Sequence, residues 1–531
     1  MQGSGPLREG EVPPWHKRTT VRAEKRRLLS WTVADDLHNK RDNNDIKLAD
    51  HQQVHISAIV LIECFTPSNI KDLFASIDTW PVKPPEYLDS LKDHVKKWRN
   101  SEYGGAWHHV AMFARPDSGL FNYVADPSIP TSIEAVEFTL LSPLPSLTVL
   151  MAVFYPFDQA SNISDQLRQH YLPRIDRAVF RAKGKVARFT HVLPFSRAKN
   201  VYFNVVEAGP EQQQREHVEN LFSNLEAHCW GWLSKRALGK VGILPADGRP
   251  SVRCILVDNL EPFGPIEREP FVDDVKGFNE WHASDSEQPY RQARGPLDAL
   301  DLNHAVSAWT TKDRDSFYFS TQDRYNDTSL KAFLSANRST LTKAIDFEAD
   351  SSGLNIFSYL IRNHILGLLS AWSIEQLLSR YTEEISEIRD SSAASQSAYR
   401  VARRLNEFLV RDGHDAAIIS RDARRIAGLE YSFRETPPFI GLLDILRPER
   451  HKEPEADKAT GPEKLVAHAR SEIVASAKFV NDELEMATRS ISTSATLLQA
   501  MSEIRLQRWS LIMAVVATVI AVIAIIVSLQ Q

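Results

Sequence analysis

Residues 511–529 form an apolar run of nineteen positions in which only Thr518 and Ser528 carry a polar side-chain atom. A helix over that run spans about 28 Å at 1.5 Å per residue, close to the hydrocarbon thickness of a bilayer. A helix on a soluble core keeps one polar face, and this run has none. The sequence therefore predicts one C-terminal transmembrane helix at 509–531. Arg505 and Arg508 precede the run and no Lys or Arg follows it, so the positive-inside rule places the N-terminal part in the cytoplasm, with Trp509 as a third membrane-interface anchor. Residues 1–40 are polar and basic and offer no apolar leader. The expectation is a single-pass, tail-anchored membrane protein with the lipid bilayer as a partner.

The remainder reads as globular. At 43% hydrophobic and 25% charged residues over 531 positions, the chain can fill two or three cores and is too apolar to stay disordered. A formal net charge of −5 gives no global pull towards nucleic acid or anionic lipid, so such affinity needs a local patch. Cys64, Cys229 and Cys254 lie in or beside apolar runs without C-x-x-C spacing, which predicts reduced core thiols.

Residues 1–40 read as a basic, mobile arm, with Lys17, Arg18, Arg22, Lys25, Arg26 and Arg27 available to an anionic leaflet. Residues 50–325 predict an α+β body, a mostly antiparallel or mixed sheet with packed helices. Its strongest strand is 54–65 (VHISAIVLIECF), followed by Thr66, Pro67, Ser68 and Asn69 as caps for a helix ending at Ile77. A second, 147–155 (LTVLMAVFY), is apolar throughout and reads as central; it too leads to a capped helix, and the shared S-N-I-x-D at 68–72 and 161–165 suggests a duplicated β-α unit. In 133–141, Val136, Phe138 and Leu140 alternate with Glu137 and Thr139, the pattern of a half-buried strand. Further strands are expected at 109–114, 188–195, 200–206 and 252–257, a long helix at 210–238, a loop insertion at 261–299, and a hairpin of 304–309 with 317–320 closing the sheet.

From Thr328 the chain is expected to be helical to residue 446, with helices at 353–389, 398–411 and 415–431, the last two separated at Gly413. Residues 447–463 read as a flexible linker. A helical stalk over 464–508 carries a dilute heptad: Ala477, Leu484, Ile491 and Leu498, interleaved with Ile473, Val480, Ala487, Ser494 and Met501. This stripe fits either a coiled coil between copies or packing on the body. Within the apolar run two seams are available: Ala514, Ala517, Ala521, Ala524 and Ser528 for close membrane-helix packing, or Ile512, Val515, Val519, Val522 and Ile526 in continuation of the stalk register.

No catalytic signature is present. Gly184-Lys185 and Gly239-Lys240 lack the upstream glycine and the Ser or Thr of a phosphate loop; H-E-x-x-H, G-x-S-x-G, G-x-G-x-x-G and paired zinc cysteines do not occur. His217-x-Glu219 has no P-C-x-x-C beside it. His108 and His109 point to opposite faces of a strand, and Asp313 with Asp315 reads as turn chemistry. No metal site and no cofactor is expected. Arg400, Arg403, Arg404, Arg411, Arg421, Arg424 and Arg425 recur at helical spacing and give a candidate cationic face for an anionic ligand or lipid headgroup, with Glu383, Glu384 and Glu387 as candidate partners. The absence of interleaved aromatics there disfavours nucleic acid.

The order of parts resembles CorA-type magnesium channels in architecture alone. That family carries two spans joined by Gly-Met-Asn, a tripeptide missing here, and no residue role carries over. The functional expectation is a non-enzymatic sensing, scaffolding or recruitment module at a membrane, oligomeric through stalk and membrane helix, with an unknown protein partner. The alternatives are a pore-forming or transport subunit and a membrane-tethered enzyme acting on a phosphate-bearing substrate near the arginines.

Overall fold

The computed structural model describes residues 47–118, 123–157, 162–169, 171, 174–181, 200–208, 210–244, 249–259, 305–311, 317–322, 331–338, 366–393, 398–426, 439–441 and 465–529. The basic arm, the strand expected at 188–195, the insertion 261–299 and the linker 447–463 lie outside the described residues.

Strand β1 (Gln53–Phe65) is the axis of a ten-stranded sheet, since its last eight residues are buried on both faces. A run of Ile, Val and Leu has no polar side to give to water, and a central position is where such a strand fits. On one side β1 pairs antiparallel with β5 (Leu147–Pro156), which pairs with β4 (Ile133–Leu144), then β2 (Ala106–Ala114) and the short β3 (Val124–Ala125). On the other side lies β8 (Ser251–Asp258), then β11 (Lys331–Asn337), β10 (Phe317–Gln322), β9 (Ala305–Thr311) and β12 (Phe439–Gly441). The β8–β11 and β2–β3 pairs are parallel and the other neighbours antiparallel, so the sheet is mixed, as the sequence predicts. A separate hairpin joins β6 (Arg174–Arg181) to β7 (Asn200–Ala208).

Helices cover both faces. On one, α1 (Ile70–Ile77), α2 (Pro85–Arg99) and α4 (Pro210–Arg236) pack on the sheet, with the five-residue α3 (Ser164–Arg168) against α4. Trp232 of α4 meets Phe138 at 5.6 Å, Phe154 at 5.9 Å and Phe113 at 6.2 Å between ring centroids, an aromatic centre that welds helix to sheet. On the other face lie α5 (Leu366–Ala393), α6 (Ala398–Phe408) and α7 (His414–Ile426); α5 and α7 pack on β4, and α5 also on β1.

That second helical layer corrects the reading of β4. Glu137 and Thr139, expected on a solvent face, are buried, because β4 is covered from both sides. Glu137 is instead met by the Tyr155 hydroxyl at 3.0 Å and by His109 at 3.3 Å. Two boundaries also differ. The hairpin at 305–322 does not close the sheet: residues 331–337, expected to be helical, form β11, with Ala332, Leu334 and Ala336 buried at period two beside β8. Gly413 does not separate two helices, since α6 passes into α7 through one π-helical turn at Leu409–Gly413.

The last helix, α8 (Leu465–Leu529), is unbroken over 65 residues. Leu465, Val466, Ala469, Ile473, Ala477, Val480 and Leu484 are buried against α5 and α7, so the first half of the heptad stripe is spent on the chain's own body. Farther along, residues 506–522 are exposed on every side.

The C-terminal transmembrane helix expected at 509–531 is not borne out, and with it falls the single-pass, tail-anchored assignment. Among the described residues, no helix is long and apolar enough to cross a membrane.

Candidate functional site

The densest convergence of buried polar groups lies where β1 ends, and it begins with Glu63. In a strand that is otherwise apolar from Ala58 to Phe65, this is the one charged residue, and it is fully buried. Alternation along β1 puts Glu63 on the α4 face and Cys64 on the α5 face. The chain leaving α4 wraps Glu63 closely: the amides of Val241 and Gly242 each donate to its carboxylate at 2.7 Å, and the amide of Cys64 donates at 3.1 Å. A Cβ at position 239 would lie 2.5 Å from the Cys64 carbonyl oxygen and 2.7 Å from a Glu63 carboxylate oxygen, and one at 242 would collide with the same carboxylate. Both glycines are therefore required by close approach. Burial outweighs the amide donors and pushes the Glu63 carboxyl up to about 7.

Lys240 carries the loop across the strand end. Its amide donates to the Cys64 carbonyl at 2.9 Å, and its ammonium reaches Asp412 at 2.6 Å and Asp415 at 3.6 Å on the opposite face. Asp412 lies in the π-helical turn and Asp415 in the first turn of α7; their side chains are 2% and 1% exposed. Asp415 is also held by the loop between β1 and α1, where the Thr66 and Ser68 hydroxyls and the Ser68 amide, at 3.1 Å, donate to its carboxylate. Asp412 has a second cation, Arg411, which in turn meets Glu384 of α5 at 2.7 Å. Burial alone would raise the Asp412 carboxyl; the Lys240 and Arg411 bonds reverse this and hold it below the usual range.

The Tyr381 hydroxyl of α5 is buried in the same neighbourhood, without a hydrogen-bond partner among the described residues. Burial, then the charges of Asp415 and Asp412, push its ionisation well above the ordinary tyrosine value, so it stays a neutral phenol. The junction thus ties five elements into one network: the end of β1, the loop at 239–242, α5, the π-helical turn and α7. The charges of Lys240, Arg411, Asp412 and Asp415 compensate one another, an arrangement suited to fixing the helical layer on the sheet. Among the described residues no group of three His, Cys, Asp or Glu side chains is placed to hold a metal ion.

A second buried charge, Arg253 on β8, is satisfied separately. It meets Glu219 at 2.6 Å and Glu226 at 2.8 Å on α4 and lies 4.4 Å over the Phe222 ring, pinning α4 to the sheet. Cys64, Cys229 and Cys254 are buried free thiols whose ionisation burial pushes upward, as reduced core cysteines require.

The arginines singled out by sequence are dispersed over separate partners, not all of them acidic. Arg403 meets Glu407, Arg404 meets Glu387 and Arg421 meets Asp422, at 2.8, 2.8 and 3.0 Å. Arg424 reaches Asn481 of α8 at 3.5 Å, and Arg425 donates to the Glu102 carbonyl at 2.6 Å. Of the set only Arg411 belongs to the polar junction; the side chain of Arg400 lies outside the described residues. In α8, Arg508, Trp509, Ala514, Ala517 and Ala521 are exposed, whereas the side chains of Arg505, Ala524 and Ser528 lie outside the described residues.

Sequence reasoning passed over Glu63, Lys240, Asp412 and Asp415. Glu63 alone left a signal, as a lone acid in an apolar strand. Gly239-Lys240, set aside as a failed phosphate loop, proves to be a glycine-lined cradle whose occupant is a carboxyl group of the chain itself. No family model matches the chain, and neither a curated protein nor a solved structure matches it, so the functional reading rests on this geometry.

Proposed function

We propose that this chain is a non-enzymatic sensing, scaffolding or recruitment module that assembles with copies of itself through the distal part of α8. The observation that carries the reading is the division of that helix. Its first turns are docked on α5 and α7, and residues 506–522 stand clear of the body with Leu511, Ile512, Met513, Val515, Val516, Val519, Ile520 and Val522 all exposed. A contiguous apolar surface of this kind marks an interaction site. Because the segment is apolar all round, one neighbouring helix cannot cover it, and association of more than two copies buries more of it. The charge-compensated junction at β1 supports a structural role for the body.

Sedimentation equilibrium of the full chain, beside a Val515→Glu plus Val519→Glu variant, tests this. The expected result is concentration-dependent assembly that the variant loses while its circular dichroism is unchanged. A wild-type chain monomeric at every concentration would overturn the reading. So would monomers that bind phosphatidylcholine vesicles through this segment instead of each other.

A further inference from the structure

The loop at 239–242 grips opposite faces of the sheet by two different means. On the α4 face three backbone amides hold the Glu63 carboxyl; on the other, Lys240 holds Asp412 and Asp415 at the start of α7. A movement of the loop that releases one grip must displace the other, because Lys240 is flanked by the residues whose amides or close approach define the cradle. We propose that this loop is a proton-controlled latch, in which ionisation of Glu63 loosens the docking of α7 on the end of β1.

The sign follows from the surroundings of Glu63. Its partners are backbone amides, and among the described residues no side-chain cation bonds it. Among the described residues, none of the charged and titratable groups near it bonds its carboxyl. From its own strand there is the Cys64 thiol, kept protonated by burial and by the Glu63 charge. From the loop there is Lys240, committed to Asp412 and Asp415. From α5, beyond the strand, there are Arg380, close enough to influence Cys64, and the neutral Tyr381. A fully buried carboxylate with no cation gains more from hydration when charged than when neutral. An opening that admits water to Glu63 is therefore favoured by its ionisation, and the closed latch by its protonation. With the closed-state carboxyl pushed up to about 7 against 4.5 in water, the opening constant should rise with pH between those values and level off above.

Amide hydrogen exchange of the full chain from pH 5 to 8.5, corrected for intrinsic exchange, reads this directly. In the wild type, the loop at 239–242 and α7 should lose protection together, by up to about a hundredfold across the range. Glu63→Gln should remove the pH dependence from both. Lys240→Met should leave it in the loop and remove it from α7. Wild-type protection that is flat with pH overturns the latch without recourse to any variant. So does a loop that responds while α7 does not, or an α7 that still follows pH in Lys240→Met.

Discussion

Replacing Lys240 with Met isolates the energetic role of the polar junction. Met approximates the aliphatic stem, so packing is largely kept while the charge is removed. The Lys240 side chain is 10% exposed and faces carboxylates that are 2% and 1% exposed, so water cannot replace it without opening the site. Breaking a buried ion pair by removing one partner costs about 3–5 kcal/mol. Here each carboxylate keeps other donors, Arg411 for Asp412, and Thr66 and Ser68 for Asp415, which places the expected loss near the lower end, about 3 kcal/mol. Urea unfolding at pH 7.5, followed by far-ultraviolet circular dichroism, should show the midpoint fall with the slope unchanged. Adding Asp412→Leu to Lys240→Met should cost less than the sum of the two single changes, with a coupling of at least about 1 kcal/mol. A single-variant loss under about 1 kcal/mol, or strict additivity, would refute the view that this contact fixes α7 to the sheet.

Other outcomes follow from the same geometry. Between pH 4.5 and about 7 the unfolded chain has released the Glu63 proton and the folded chain has not, so stability falls as pH rises through that window, by about 3 kcal/mol for this group. Subtracting the Glu63→Gln pH–stability curve from the wild-type curve should reveal that fall, and a flat difference would contradict it. Asp412 acts in the opposite sense: held below its ordinary value, its contribution is complete above about pH 4 and is lost as acid protonates it, so Asp412→Asn should flatten the acid limb. Gly239→Ala should destabilise by about 2 kcal/mol or more, because its Cβ meets backbone at Cys64. Gly231→Ala, on α4 with open space around the added methyl, should stabilise by about 0.5–1 kcal/mol in the same urea titration.

The strands and helices legible in the sequence are those whose evidence is local. The β-branched run of β1, the apolar run of β5, the β4–β5 turn, α4 and the unbroken α8 each declare themselves within a dozen or so residues, because periodicity and capping act over that range. Where a distant element supplies the environment, the local pattern misleads. Glu137 and Thr139 alternate as if facing water, yet helices some 230 residues later cover them. The segment at 331–337 becomes a strand because β8 offers it an edge.

The candidate site shows the same limit more strongly. Thr66 and Ser68 looked like caps for α1, and their hydroxyls do serve a helix start, but that of α7, 349 and 347 residues away at Asp415. Local chemistry announces a donor; only the fold decides which acceptor reaches it. The apolar segment that starts at Leu511 makes the contrast clear: its composition dictates that it avoid water, while the tertiary structure decided that the body offers residues 511–522 no cover. By itself the sequence determined the strongly periodic elements, such as β1, β5 and α4, and the buried thiols. The tertiary structure decided which side chains meet, since pairing energies depend on distances that hundreds of intervening residues set.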